Sequence, residues 1–555
     1  CHEPHPGEEK ELTVSAPETA FAALEPLDEI VTVNPSTGEE LGRLPALPRA
    51  GIDAAIERSR QAQAEWAQIP LAERRRKIRV LMELLLEERA AIAELIALEQ
   101  GKPVAEAMAA EIVPCLGVLR ELLRITPGVL KPQRRPHQML LFAHKRSALL
   151  RVPFGVVAVI SPWNFPFSVP LPEIAAALLA GNSVLFKPAP HAILIAGKIA
   201  ELCTRAGFPA GLMQLLYLHD READYLTAHA GIDKILFTGS TAVGRRVMCN
   251  AAQNVVPVVL ELGGKDPAIV MADADIERAA KGIVWGALFN AGQVCASIER
   301  VYVERPAAAP FIAACLREME GVRVGDPLNP DTDMGPLSSE AHLHKVLLHI
   351  QEAVEKGARL LHGGTRIDRA GFFIQPALLV DVDHTMLVMR EETFGPVLPV
   401  MIFDSLDEAV RLANDSAYAL SAYAYTSSKA MADRLLCDLE AGTVVINDST
   451  MSWGEPTAPW VGHKQSGIGL THAELGLLEL TRPKYVSYDR GQRAPNLWWY
   501  PYGPDSLRLF TAAADLLYNR RLSHKLAALA PVLLQKRFLH STHWAALLRH
   551  LNRLF

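Results

Sequence analysis

The chain has 555 residues, half of them hydrophobic and 21% charged, with a formal net charge of −6. That length is enough for two or three domains of ordinary size, and the mild acidity excludes nucleic acid as the main partner of the whole molecule. Its seven cysteines are scattered, odd in number and without CxxC or CxxH pairing, which excludes a disulfide framework or a zinc site and predicts a reducing, cytoplasmic setting with no metal.

In chain order, residues 1–28 are rich in Glu and Pro and poor in large apolar residues, so they predict a mobile arm. VNPSTGEELGRL (33–44) reads as a hairpin around its Pro-Ser-Thr-Gly turn. From Arg49 to Leu123 apolar residues recur at three and four residue spacing, as in Ile78, Leu81, Leu84 and Leu85, and predict successive amphipathic helices. Met139 to Ala143 and Ala148 to Val152 flank a polar turn and predict a protruding hairpin. VPFGVVAVISP then reads as a buried strand, followed by strand and helix alternation through Thr241 and a second such series from Val258 to about Asn447. That rhythm predicts two α/β domains, the first a doubly wound parallel sheet. No run of about 18 uninterrupted apolar residues is present, so no spanning helix is expected.

Four stretches carry chemistry. In FNAGQVCASIER (289–300), Cys295 follows a helical segment, Ile276 to Leu288, and is either a nucleophile delivered to a cleft or a small buried hydrophobe. FTGSTAVG (237–244) is a strand end, a turn and a helix start; such an N-terminus offers N–H groups and a positive dipole end to a phosphate, with Gly239, Ser240 and Gly244 allowing close approach. It lacks GxGxxG spacing and is equally a plain turn. SPWNFP (161–166) presents Asn164 as an amide donor for an oxyanion, or as a turn former. LELGGKDP (260–267) sets Glu261 at a strand end as a general base or a turn cap.

SPWNFP, FTGSTAVG, LELGGKDP, FNAGQVCASIER and EETFGPVLPV, in this chain order, resemble the aldehyde dehydrogenase superfamily, from about Val33 to Tyr488. The resemblance implies an α/β fold with a Rossmann-type dinucleotide-binding domain (29–136 and 153–260), an α/β catalytic domain (261–479) and a bridging oligomerisation hairpin (137–152 and 480–489), assembled as a homodimer or homotetramer. It gives Cys295 the role of nucleophile, Glu261 that of general base, and Asn164 with the Cys295 backbone N–H that of oxyanion hole. For NAD or NADP it implies Lys187 at the adenosine ribose, Gly239, Ser240 and Gly244 at the pyrophosphate, Glu392 at the nicotinamide ribose and Phe394 beside the nicotinamide. Ser161, Pro162, Trp163 and Leu262 fall at the same pocket, and Glu474 aligns with an acidic residue of a proton relay.

Two positions depart from the family pattern. Pro190 stands where NAD-preferring members often carry Glu against a 2′-phosphate, so its absence leaves NADP open. PWVGHK (459–464) replaces a Pro-Phe-Gly-Gly at the substrate mouth. CASIERVYV, LELGGKDPAIV, MREETFGPVLPVM and TRPKYV are most similar to a bacterial branch that includes diapolycopene-dialdehyde dehydrogenases, which implies a long hydrophobic aldehyde as substrate. Beyond the family's end, 490–555 is basic and apolar by turns, with Trp544, Leu548, Leu551 and Phe555 on one helical face. It is a tail packed on protein or a peripheral contact with an anionic membrane. Two competing functions are a CoA-acylating enzyme, against which Glu261 argues, and a non-catalytic scaffold on the same fold.

Overall fold

The computed structural model describes residues 29–137, 142, 145–449, 452–489, 496 and 498–533. The arm 1–28, most of Met139 to Ala143, and the helical face of Trp544, Leu548, Leu551 and Phe555 lie outside the described residues. The chain divides into two compact units, Cys1–Val129 with Pro153–Thr481, and Leu130–Val152 with Arg482–Phe555.

The first unit carries two large sheets. One orders its strands Gly467–Ile468, Val258–Glu261, Lys234–Thr238, Val156–Ile160, Ser183–Lys187, Met213–Leu215, parallel except for the first, which runs antiparallel to Val258–Glu261. Val156–Ile160 and Ser183–Lys187 are buried at every position, as unbroken apolar runs in a parallel sheet require. The strand order reverses between Val156–Ile160 and Lys234–Thr238, and at such a switch point the carboxyl ends of the two strands part and leave a crevice. The chain leaves those two strands through Ser161–Asn164 and Gly239–Ser240.

The second sheet orders Arg359–His362, Ala377–Val380, Val397–Phe403, Ile298–Glu304, Asp266–Val270, Ser421–Tyr425, Thr443–Ile446, with only the first strand antiparallel to its neighbour. Its core includes Ile269, Ile283, Val301, Phe311, Leu379 and Tyr423, all fully buried. The helix Ile276–Leu288 coincides with the predicted segment and is capped by Asp275, whose Oδ1 accepts the N–H of Arg278 at 3.1 Å. A cap of this kind contributes about 1 kcal/mol.

The early helices form as their periodicity predicts: Arg49–Trp66, Leu71–Gln100, Val104–Ala107 and Val113–Val129, with prolines at 48, 70 and 103 preceding three of them. Between the last two, Met108–Ile112 forms a π-helical turn. The hairpin near residue 33 is present as Glu29–Val33 paired antiparallel with Glu40–Pro45.

In the second unit, Lys145–Pro153 lies between Thr481–Asp489 and Gln133–Arg134. The strand that pairs antiparallel with Ala148 and Leu149 is therefore Gln133–Arg134, upstream of the apolar run that the sequence pattern favours. Helices Pro504–Tyr518 and Leu522–Leu533 pack on one another and bury Leu509, Ala512, Leu516 and Ala528. No helix among the described residues is long and apolar enough to cross a membrane.

Candidate active site

Cys295 owes its position to a turn that ends the preceding helix. Asn290, Ala291 and Gly292 take φ of 53°, 54° and 73° in succession. Left-handed backbone costs a non-glycine residue about 1–2 kcal/mol, so the turn needs outside support. The Asn290 N–H donates to the Glu106 carboxylate at 3.0 Å, and Gln100 Nε2 donates to Asn290 Oδ1 at 3.0 Å. Asn290 Nδ2 in turn donates to the carbonyls of Asn164 and Gln293, each at 3.1 Å. Cys295 emerges from this turn half-buried, packed beside Ala296, Leu420 and Trp460.

The Asn164 side chain lies close to the same turn, since its Nδ2 donates to the carbonyl of Gln293 at 2.9 Å. A primary amide has two N–H groups, so one remains for another acceptor. Glu261 ends the strand Val258–Glu261 and is 4% exposed, and among the described residues neither of its carboxylate oxygens has a hydrogen-bond partner of normal geometry. Burial, then the charge of Glu173, raise Glu261 well above the usual carboxylate range and so favour its neutral form, while Trp460 acts weakly the other way.

Asn164, Glu261 and Cys295 line one cavity of about 450 Å³. Burial pushes the Cys295 thiol well up, and the carboxyls of Asp266, Glu261 and Glu392 push it further. The glycines of LELGGKDP explain how these groups come so close. A Cβ on Gly264 would lie 2.4 Å from the Cys295 carbonyl oxygen, and one on Gly263 would lie 2.5 Å from Glu392 Oε1.

Pro162, Trp163, Gly239, Ser240, Leu262, Glu392 and Phe394 line the same cavity. Gly264 N donates to Glu392 Oε1 at 3.0 Å, and burial with the neighbouring Glu299 raises the Glu392 carboxyl to about 7. Phe394 has φ of 59°, held because the Glu299 carboxylate accepts its N–H and that of Thr393, both at 2.7 Å. Ser240 caps the helix Thr241–Ala252 by accepting the Val243 N–H at 3.4 Å.

Four residues singled out in the sequence do not line the cavity. Lys187 ends its strand and bonds Asp220 Oδ1 at 3.1 Å; Ser161 beside it has a buried hydroxyl with no partner among the described residues. Gly244 serves packing, since a Cβ there would lie 2.4 Å from Leu262 Cδ2. Glu474 is exposed in the first turn of Ala473–Glu479.

The structure adds residues that no local pattern marks. His342 and Lys345 line the cavity from the helix Glu340–Glu355. His342 Nε2 lies 2.6 Å from the Phe394 carbonyl and so carries the proton, and burial lowers the imidazole to about 4. Trp163, His342 and Phe394 stack edge to face, with centroids 5.6–5.9 Å apart. A second group of walls is apolar: Phe165, Val169, Phe289 and Val294 cluster with Ala110 and Trp453, and Trp453 meets Trp460 at 5.2 Å. Trp460 belongs to PWVGHK and stands where the family pattern has Phe, so this position keeps an aromatic wall.

A switch-point crevice, a helix N-terminus at Ser240, a carboxylate and an aromatic trio beside a cysteine in one cavity are the elements of an α/β oxidoreductase site. The chain belongs to the aldehyde dehydrogenase family, whose model matches residues 22–486. It is similar to a 4,4′-diapolycopene aldehyde oxidase of Methylomonas sp, at 36% identity over 88% of this chain and 91% of the relative. It is similar in structure to an NAD-dependent aldehyde dehydrogenase of Sinorhizobium meliloti, with a TM-score of 0.81 and 34% identity over 85% of this chain and 93% of that one. An NADP-dependent enzyme of E. coli has a TM-score of 0.80 and 34% identity over 83% of this chain and 95% of that one. The chain is an oxidoreductase acting on aldehydes.

Proposed function

We propose that this enzyme oxidises a long, hydrophobic aldehyde to its carboxylic acid with NAD or NADP. The observation that carries this reading is the shared cavity of Cys295, Asn164 and Glu261, with aromatic and apolar walls from Phe165, Phe289, Trp453 and Trp460. Such walls favour a hydrocarbon chain by burying it. The relative named a diapolycopene aldehyde oxidase supports the same substrate class.

Cys295 releases its proton to water and its sulfur adds to the aldehyde carbon, so the carbonyl oxygen becomes an oxyanion. The free N–H of Asn164 and the backbone N–H of Cys295 hold that charge, which is where pre-aimed donors count most. A bound nicotinamide would supply an acceptor for the hydride leaving that tetrahedral carbon and a positive charge opposing the carboxyls around the thiol. A thioester on Cys295 remains. Glu261, in its ionised form, takes a proton from water, the water oxygen attacks the thioester carbon, and sulfur leaves as the acid departs. Gly239 and Ser240 would hold the pyrophosphate at a helix N-terminus, Glu392 a ribose, and Trp163 and Phe394 the nicotinamide; Lys187 would hold the adenosine ribose.

The test follows the absorbance of reduced cofactor with purified protein, decanal and either NAD or NADP, with and without CoA. Turnover without CoA and release of decanoic acid are expected. A strict need for CoA would replace this reading with thioester formation, and inactivity across a broad aldehyde panel would favour a scaffold.

We further propose a cytoplasmic homodimer or homotetramer, with peripheral membrane contact through 490–555. Exposed Trp499, Tyr500, Tyr502, Leu507 and Leu522 beside Arg508, Arg520, Arg521 and Lys525 support the contact. Flotation with anionic liposomes of the full chain, but not of a chain ending at Asp489, is the expected result; equal behaviour rejects it.

A further inference from the structure

The segment Gln100–Glu111 reaches both loops of the site. Gln100 and Glu106 hold the nucleophile turn through Asn290, as described above. Lys102 and Glu111 hold the other loop. Both side chains are fully buried and bond each other at 2.6 Å. Lys102 Nζ also donates to the carbonyl of Asn164 at 2.9 Å and sits 3.9 Å from the centre of the Phe165 ring. Glu111 Oε2 accepts the N–H groups of Phe167 and Ser168, each at 2.9 Å. Glu111 lies in the π-helical turn Met108–Ile112, a distortion that tends to mark functional positions. Every bond that this ion pair spends outside itself therefore falls on Asn164 to Ser168.

A fully buried ion pair is a poor source of stability, because desolvating two charges costs about as much as their attraction returns. Its geometry fits another role. We infer that Lys102 and Glu111 are positioning residues for the oxyanion site: they fix the backbone at and just after Asn164, so that one amide N–H rests on Gln293 and the other points at the substrate oxygen. The pair touches neither substrate nor cofactor and acts through Asn164. The inference rests on the oxyanion role proposed for Asn164.

The experiment compares the pre-steady-state burst of reduced cofactor, with decanal, in Asn164→Ala, in the neutral pair Lys102→Met with Glu111→Gln, and in the combined triple variant. Asn164→Ala should slow the burst about 10²–10³-fold, the range for losing one oxyanion donor. The pair variant should slow it about tenfold or more, and the triple variant should be no slower than Asn164→Ala. Alkylation of Cys295 by iodoacetamide, which forms no oxyanion, should proceed in the pair variant within about twofold of the wild-type rate. Multiplying losses in the triple variant, a wild-type burst in the pair variant, or altered alkylation would each overturn the inference. A wild-type burst in Asn164→Ala would instead remove the oxyanion role itself. Glu111→Gln alone carries the same comparison should the pair variant not fold, and failure of both to fold overturns the inference by making the pair a folding element.

Discussion

Glu261 raises the proton affinity of the Cys295 thiol across the cavity they share. The base and the nucleophile thus oppose each other's ionisation. Removing the carboxylate should have two effects of opposite sign.

Glu261→Gln should let the thiol ionise at lower pH, so that alkylation of Cys295 becomes faster at a fixed neutral pH. Turnover should meanwhile fall about 10²–10⁴-fold, the usual contribution of a positioned base, while one burst of reduced cofactor per site persists. Stopped-flow absorbance and timed alkylation read the two effects on one sample. A variant that loses burst and turnover equally would show that Glu261 serves thiol addition and not hydrolysis.

Glu173 supplies a pH prediction. Burial raises its carboxyl from the ordinary 4.5 to about 8, so the folded protein holds a proton that the unfolded chain releases across that interval. The associated stability is complete below about pH 4.5 and is lost as pH rises toward about 8. Melting temperature should decline over that window, and less so in Glu173→Gln. The same variant removes a negative neighbour of Glu261, so the rising limb of kcat against pH should move to lower pH. An unmoved limb would separate the two carboxyls.

Ala110 is the small residue of the wall formed by Phe165, Val169, Phe289 and Val294. Ala110→Phe should fill the hydrocarbon path and raise KM for decanal about tenfold or more, with propanal changed by about threefold at most. Steady-state kinetics on an aldehyde length series checks it. Equal losses at all lengths would mean that this wall does not touch the chain of the substrate.

Asp220 places a carboxylate 3.1 Å from Lys187 Nζ, with 78% of its side chain exposed. Pro190 brings no charge there, so Asp220 is the acid that a 2′-phosphate would meet beside Lys187. Asp220→Asn should raise kcat/KM for NADP relative to NAD by about fivefold, the worth of one exposed charge at contact distance. An unchanged ratio would place the ribose elsewhere.

Much of this arrangement was legible in the linear chain. Unbroken apolar runs such as Val156–Ile160 can be satisfied only by a sheet covered on both faces, and the three and four residue spacing from Ile78 to Ile96 dictates helix whatever lies around it. The helix Ile276–Leu288 followed from the same periodicity. Local pattern failed where partners were remote. Nothing in the peptide around Ala148 announces that it pairs with Arg134, and nothing in EQGKP announces that Lys102 binds Asn164.

By itself the sequence determined the alternation of strands and helices, the residue types able to do thiol, amide and carboxylate chemistry, and a family resemblance strong enough to assign them roles. Only the tertiary structure decided which of those residues share a cavity: Cys295, Asn164 and Glu261 do, while Glu474 stays on the surface. It alone supplied His342, Lys345, Trp453 and the Lys102–Glu111 pair. The physical reason is that periodicity and propensity are properties of neighbours in the chain. Burial of a charge, the proton affinity of a carboxyl and the aim of an amide depend instead on groups brought together across long sequence distances by the packing of whole sheets.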